Sequence, residues 1–175
     1  PSALFYRRLR EICDRYGMLL IVDEVMSGFG RTGEWFGIQH YPDVKPDLIA
    51  IAKGLTSGYI PLGAVLVSPE ISHYFDDHVL HGGLTYSAHA LACAAGVATL
   101  EFYHNENLVE RSRTMGKTLR RGLMDLAEKH PVIGDIRGAG LHQVSEMVKN
   151  RDTREPLSAF NKPLSDPMKK AVVAL

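Results

Sequence analysis

An α/β fold is predicted by three observations. Met18–Val22 and Asp47–Ala52 are short apolar runs of strand length, and each reads as a strand buried on both faces, as in a parallel sheet. An amphipathic helical pattern precedes the first of them, which makes half of a βαβ unit. An Ala-rich helix and a further amphipathic helix follow the strands. With 175 residues, 45% of them hydrophobic, the chain can bury a core of ordinary size. Lys plus Arg number 20, as do Asp plus Glu, so no basic excess points to nucleic acid or an anionic membrane. No apolar run approaches the length of a membrane span, and the N-terminus has no signal-peptide pattern, so a cytoplasmic protein is expected.

The elements follow in order. Leu4, Leu9, Ile12, Cys13 and Tyr16 share one helical face, and Gly17 supplies a C-terminal stop. The strand Met18–Val22 leads to Asp23, and Ser27–Gly33 is a glycine-rich loop. Trp35, Phe36 and Ile38 are expected to pack over a short helix. Asp47–Ala52 is a second strand and Gly63–Val67 a third, bounded by Pro61 and by Ser68-Pro69. Ala90–Tyr103 is a helix whose Ala94, Ala95 and Ala98 allow close packing. Leu108, Met115, Leu119, Leu123 and Leu126 line the next helix, which Pro131 ends. Val132–Ile136 and Val144–Val148 read as short strands, and 150–167 as a surface loop. Cys13 and Cys93, far apart within helical patterns, are expected to be buried free thiols. The chain opens without Met and closes inside a helical pattern, which is expected of a piece of a longer chain.

Ligands of parallel α/β sheets sit beyond the carboxyl ends of the strands. Asp23 directly follows the first strand and Lys53 the second. Alone, each is weak: a strand-end Asp is as readily a turn residue bonding its own backbone, and a strand-end Lys a solvated one. Together, an acid and an amine at neighbouring strand ends can face one cleft. Glu24 reads as a strand-end acid in an ion pair, Arg31 as a structural hydrogen-bonder, and His81 and His89 as local hydrogen-bonders. The eight histidines show no metal-ligand spacing. Gly28-Phe29-Gly30-Arg31-Thr32-Gly33 is not a dinucleotide fingerprint, because it follows the acid rather than opening a helix after a strand.

The blocks DEVMSGFGRTG from Asp23, DLIAIAKGL around Lys53, and Gly83-Leu84-Thr85-Tyr86-Ser87 before the Ala-rich helix closely resemble the class III, or omega, aminotransferases. These are fold-type-I enzymes dependent on pyridoxal 5'-phosphate. The resemblance covers nearly the whole chain, is strongest from Leu19 to Ala95, and matches the middle of a family chain more than twice as long. It implies that 1–105 is part of the cofactor-binding large domain and 106–175 the start of a smaller C-terminal α+β domain. It implies Lys53 as the Schiff-base lysine, which also shuttles the substrate proton, and Asp23 as the carboxylate on the ring nitrogen. Val25 would press on the ring, a role the residue pattern alone does not separate from plain core. Met26 stands where many members have a Gln that touches the ring hydroxyl. Thr85 would bind the phosphate of the other subunit's cofactor in a homodimer, although a plain N-cap for the next helix is the alternative. Ala88 and Ala90 replace a common Gly and Pro, changes that read as mild. Arg137–Leu141 keeps the family's RGxGL, and Ser145 replaces a usual apolar residue.

The implied activity moves an amino group from an amine or omega-amino acid to a keto acid such as pyruvate. Two rivals stay open. One is another reaction on the same scaffold, aminomutase or decarboxylase. The other is a truncated, catalytically silent chain that only folds or dimerises. A nucleotide-binding module is disfavoured, because no phosphate-binding glycine loop opens a helix. The 175 residues alone are expected to show little activity, to bind pyridoxal phosphate weakly and to be poorly soluble.

Overall fold

The computed structural model describes residues 1–157. In chain order its elements are α1 (Ala3–Tyr16), β1 (Ile21–Asp23), β2 (Leu48–Ile51), β3 (Ala64–Val67), α2 (Pro69–Tyr74), α3 (Ala90–Asn105), α4 (Leu108–Lys129), β4 (Ile133–Ala139), β5 (His142–Asn150) and β6 (Glu155–Pro156). Short 3₁₀ turns occupy Gly37–His40 and Lys53–Thr56.

The hydroxyl of Ser2 accepts from the Phe5 N–H to start α1, and Gly17 ends it by donating to the carbonyl oxygens of Cys13 and Asp14. Cys13 is buried as expected, in a cluster with Leu20, Ile38 and Val44. One ion pair ties α1 to both strand entries. Arg10 Nη1 lies 2.7 Å from Asp47 Oδ2, and the Leu20 N–H donates to the same oxygen at 2.6 Å. Burial pushes the Asp47 carboxyl up, but the Arg10 hydrogen bond and the Leu20 N–H outweigh it and hold the group below the ordinary aspartate range.

β1 and β2 run parallel, with Ile21 opposite Leu48 and Asp23 opposite Ala50. β3 runs antiparallel to β2, Ile51 opposite Ala64, at the far edge of a β1-β2-β3 sheet. The parallel expectation therefore fails at the third strand. Residues 52–63 contain only a 3₁₀ turn, too short for the crossover that a parallel return needs. The first strand is also shorter than Met18–Val22, and it is not buried on both faces. Val22 packs on the α1 cluster, whereas Ile21 is 63% exposed.

α2 was not anticipated; six residues carry no readable period, although Ser68 caps it and Pro69 opens it. Ala92 and Gly96, not the Ala94 and Ala98 the sequence suggested, are the buried small residues of α3, and Gly96 lies against Leu62. Cys93 is exposed, contrary to expectation. α3 is apolar on all sides, so its sequence does not reveal which face packs inward.

On α4 the buried positions are Ser112 and Gly116, while Met115, Leu119 and Leu126 are largely exposed. A β-carbon on Gly116 would stand 2.3 Å from the Gly140 backbone, so only glycine permits this approach of α4 to the β4–β5 turn. β4, β5 and β6 form a separate antiparallel sheet. Ser145 faces solvent there, opposite Ile136. β6 lies within the predicted loop; the rest of that loop, and the terminal helical pattern, lie outside the described residues. No helix among the described residues is long and apolar enough to cross a membrane.

Candidate active site

Because β1 and β2 are parallel, their carboxyl ends share one edge of the sheet, and Asp23 and Lys53 both lie there. Asp23 is exposed, and its Oδ1 accepts from the Val25 N–H at 2.9 Å. That is the turn bond the sequence left open. A carboxylate can accept about four hydrogen bonds, so the turn leaves Asp23 able to take a second partner. Oδ2 has none among the described residues.

Lys53 has a φ of 44°. A side chain in this left-handed region costs about 1–3 kcal/mol and persists only where the surroundings dictate it. What dictates it is visible at the next residue: a β-carbon on Gly54 would fall 2.7 Å from the Phe29 β-carbon, so the turn is pressed against the glycine-rich loop. The kink breaks the strand alternation, and Lys53 Nζ reaches the Met26 sulfur at 2.6 Å. A thioether is a weak neutral acceptor, and no carboxylate pairs with Lys53 among the described residues. The amine borders a cleft of about 610 Å³ with Thr56, Pro61, Leu84 and Tyr86. Asp23 borders a different cleft, shared with Tyr6, His40 and the β4–β5 hairpin. The structure thus brings Lys53 to Met26, three residues past Asp23, without placing both ionisable groups in one enclosed space.

Val25 is half-buried and Met26 is 60% exposed. Thr85 is exposed, makes no hydrogen bond among the described residues and does not line the Lys53 cleft, although Leu84 and Tyr86 on either side of it do. The plain N-cap alternative does not hold, because α3 is preceded by His89. His81 and His89 make no side-chain hydrogen bond among the described residues, contrary to expectation; the His89 carbonyl accepts from the Cys93 N–H. Ala88 has a φ of 52°, and Ala90 is the first residue of α3. These are the places where a glycine and a proline are favoured, so Ala88 carries a backbone cost that a glycine would not.

Two readings near the loop need correction. The Arg31 side chain is exposed and unpaired among the described residues; its carbonyl does the bonding, accepting from the Leu141 N–H at 3.0 Å. Among the described residues Glu24 is in no ion pair. It is 1% exposed, and its carboxylate accepts from the Ile38 N–H at 2.7 Å, the Gly37 N–H at 2.9 Å and the Ser27 hydroxyl. Strand alternation was the available signal: if Asp23 faces out, Glu24 faces in. No group of three or more metal-ligating side chains occurs among the described residues.

Residues 1–169 match the family model for class-III aminotransferases. The chain is 43% identical over 169 residues to the taurine–pyruvate aminotransferase of Bilophila wadsworthia, covering 90% of this chain and 36% of that protein. It is 42% identical over 157 residues to the putrescine–pyruvate aminotransferase of Pseudomonas aeruginosa, with 89% and 34% covered. Among solved structures, the taurine:2-oxoglutarate aminotransferase of Bifidobacterium kashiwanohense, in complex with PLP and glutamate, superposes with a TM-score of 0.89 at 46% identity. That match covers 96% of this chain and 37% of the other. The chain spans about a third of the length of the curated relatives it matches.

Proposed function

The chain belongs to the class-III aminotransferase family, and on that premise we propose that the full-length protein transfers an amino group from an amine or omega-amino acid to a keto acid such as pyruvate, with pyridoxal phosphate as cofactor. The observation that carries this reading is Lys53. Its amine sits in a strained left-handed turn at the end of β2, has no carboxylate partner among the described residues, and reaches across to Met26 beyond the end of β1. Relatives named for taurine and putrescine as donors and pyruvate as acceptor support the substrate class.

When bound, pyridoxal phosphate supplies an aldehyde that condenses with amines and a cationic ring that takes up an electron pair. Lys53 is the residue that would hold the cofactor through its aldehyde, and its amine, once released, would act as the base that moves the proton of the substrate α-carbon. Asp23, with one oxygen committed to the Val25 N–H and the other open, keeps the ring nitrogen protonated by a charge-assisted hydrogen bond. Val25 and Met26 would flank the ring. Thr85 serves the phosphate of the other subunit's cofactor in a homodimer, a role its exposed place suits. In this reading 1–105 belongs to the cofactor-binding large domain and 106–175 opens the small domain. The two separate sheets, and the left-handed Asn107 between α3 and α4, support that division.

Borohydride reduction of the full-length holoenzyme, followed by peptide mass mapping, tests the assignment. The cofactor is expected on the peptide containing Lys53. Cofactor fixed to any other lysine sinks it.

A further inference from the structure

We propose that Glu24 is a positioning residue for Asp23, its buried carboxylate clamping the end of β1 so that Asp23 is presented to the cofactor ring nitrogen. This rests on the role given to Asp23 above. The two acids are neighbours with opposite surroundings. Asp23 is exposed and makes one local turn bond. Glu24 is fully buried and anchored through backbone and side chain alike. Its N–H donates to the Ala50 carbonyl at 2.9 Å, one residue beyond the paired part of β1, and its own carbonyl accepts from the Gly28 N–H at 2.9 Å. One carboxylate oxygen accepts from the Ile38 N–H and the other from the Gly37 N–H and the Ser27 hydroxyl.

The clamp has two consequences. It fixes the backbone immediately after Asp23, so the direction of that side chain is set by its rotamer alone. It also joins the ends of β1 and β2, because Ala50, which receives the Glu24 N–H, lies three residues before Lys53. That bond is the backbone's and is independent of the side chain; the carboxylate adds the hold on Ser27, Gly37 and Ile38. A neutral glutamine cannot replace it. Its NH₂ would face either the Ile38 N–H or the donors of Gly37 and Ser27, and a buried donor facing a donor is costly. The side chain would turn, the 25–38 loop would be re-laid, and Asp23 would lose its fixed approach to the ring.

A double-mutant cycle on the full-length protein separates positioning from mere support. The apo forms of wild type, D23N, E24Q and D23N/E24Q are titrated with pyridoxal phosphate, and the pH midpoint of the bound cofactor's visible absorbance is recorded. Losing a charge-assisted buried contact is expected to weaken cofactor affinity about tenfold in E24Q and to move the absorbance midpoint in the same direction as D23N. In the D23N background the added effect of E24Q is expected to vanish. If E24Q weakens affinity by the same factor, within about twofold, in both backgrounds, or leaves affinity and midpoint unchanged, the proposal is overturned. A D23N protein with unchanged affinity and midpoint overturns the Asp23 assignment itself, and the positioning role with it. Should E24Q not fold, Ser27→Ala removes one donor only. It is expected to give a smaller loss that also vanishes in D23N, and a loss that persists there counts against the clamp.

Discussion

The stretch from Leu20 to Thr56 and the stretch from Val79 to His89 both carry residues assigned to the cofactor, yet only the first is built into this chain's own core. Around Asp23 and Lys53 the buried Leu20, Glu24, Phe29, Leu55 and Thr56 fix the backbone. Phe29 meets Phe36 and Tyr103 at ring-centroid distances of 5.7 and 6.2 Å. Around Thr85 the apolar side chains Val79, Leu80, Leu84 and Tyr86 all stand in solvent. Large apolar side chains crowded into one exposed segment are a mark of an interaction region. The difference teaches that the stretch proposed for the covalent chemistry is held by packing within this chain, whereas the stretch proposed for the phosphate has no such packing among the described residues.

The largest effect should come from breaking the first stretch at its acid. Asp23→Asn keeps the size, and can keep the turn bond to the Val25 N–H, but removes the charge proposed to face the ring nitrogen. Turnover of an amine with pyruvate in the full-length enzyme is expected to fall by about 10³-fold, while KM changes little, because the lost interaction matters most when the ring takes up electrons. Steady-state kinetics at saturating cofactor decide this; an Asn variant with near-normal kcat removes Asp23 from the chemistry.

A smaller effect separates scaffold from chemistry within the same stretch. Asp47 has a folded pKa below its unfolded value of about 3.9, so its contribution to stability is fully present above that value and is lost as pH falls through the folded pKa. Asp47→Asn retains an acceptor for the Leu20 N–H and loses the charge facing Arg10. Hydrogen bonds to charged groups contribute about 1.5–3 kcal/mol, and the variant should lose that much near neutral pH. Its stability should then fall less steeply than wild type below about pH 4. Urea unfolding as a function of pH reads both; an Asn variant with an unchanged acid limb shows that the pair does not hold α1 to the strands.

The same contrast explains what was legible in advance. α1 with its stop at Gly17, the run Leu48–Ile51, and the placement of Asp23 and Lys53 at strand ends depend on local pattern, and all are visible in the sequence. Strand alternation points Glu24 inward, but its partners thirteen and fourteen residues away, at Gly37 and Ile38, are encoded by no local pattern. The exposure of Cys93 was hidden because α3 is apolar all round, and α2 because a single turn and a half has only its Ser68-Pro69 start to announce it. β3 reads correctly as a strand, but its direction is set by the short connection before it rather than by its own residues.

The smallest effect lies in the second stretch, at Ala88. Its φ of 52° places a β-carbon in the left-handed region, at a cost of about 1–2 kcal/mol that glycine does not incur. Glycine gives part of this back through the greater freedom of the unfolded chain, up to about 1 kcal/mol. Ala88 is exposed, so no packing is lost with its methyl group. Ala88→Gly should therefore stabilise the protein by about 0.5–1 kcal/mol. Ala94→Gly is the control: the same atoms leave an exposed position in the middle of α3, where glycine is about 1 kcal/mol worse than alanine. Opposite signs in urea unfolding, with the first variant up and the second down, are what the backbone geometry requires. If Ala88→Gly costs as much as Ala94→Gly, the chain before α3 does not turn through a left-handed residue, and the approach of Leu84 and Tyr86 to the Lys53 cleft must be redrawn.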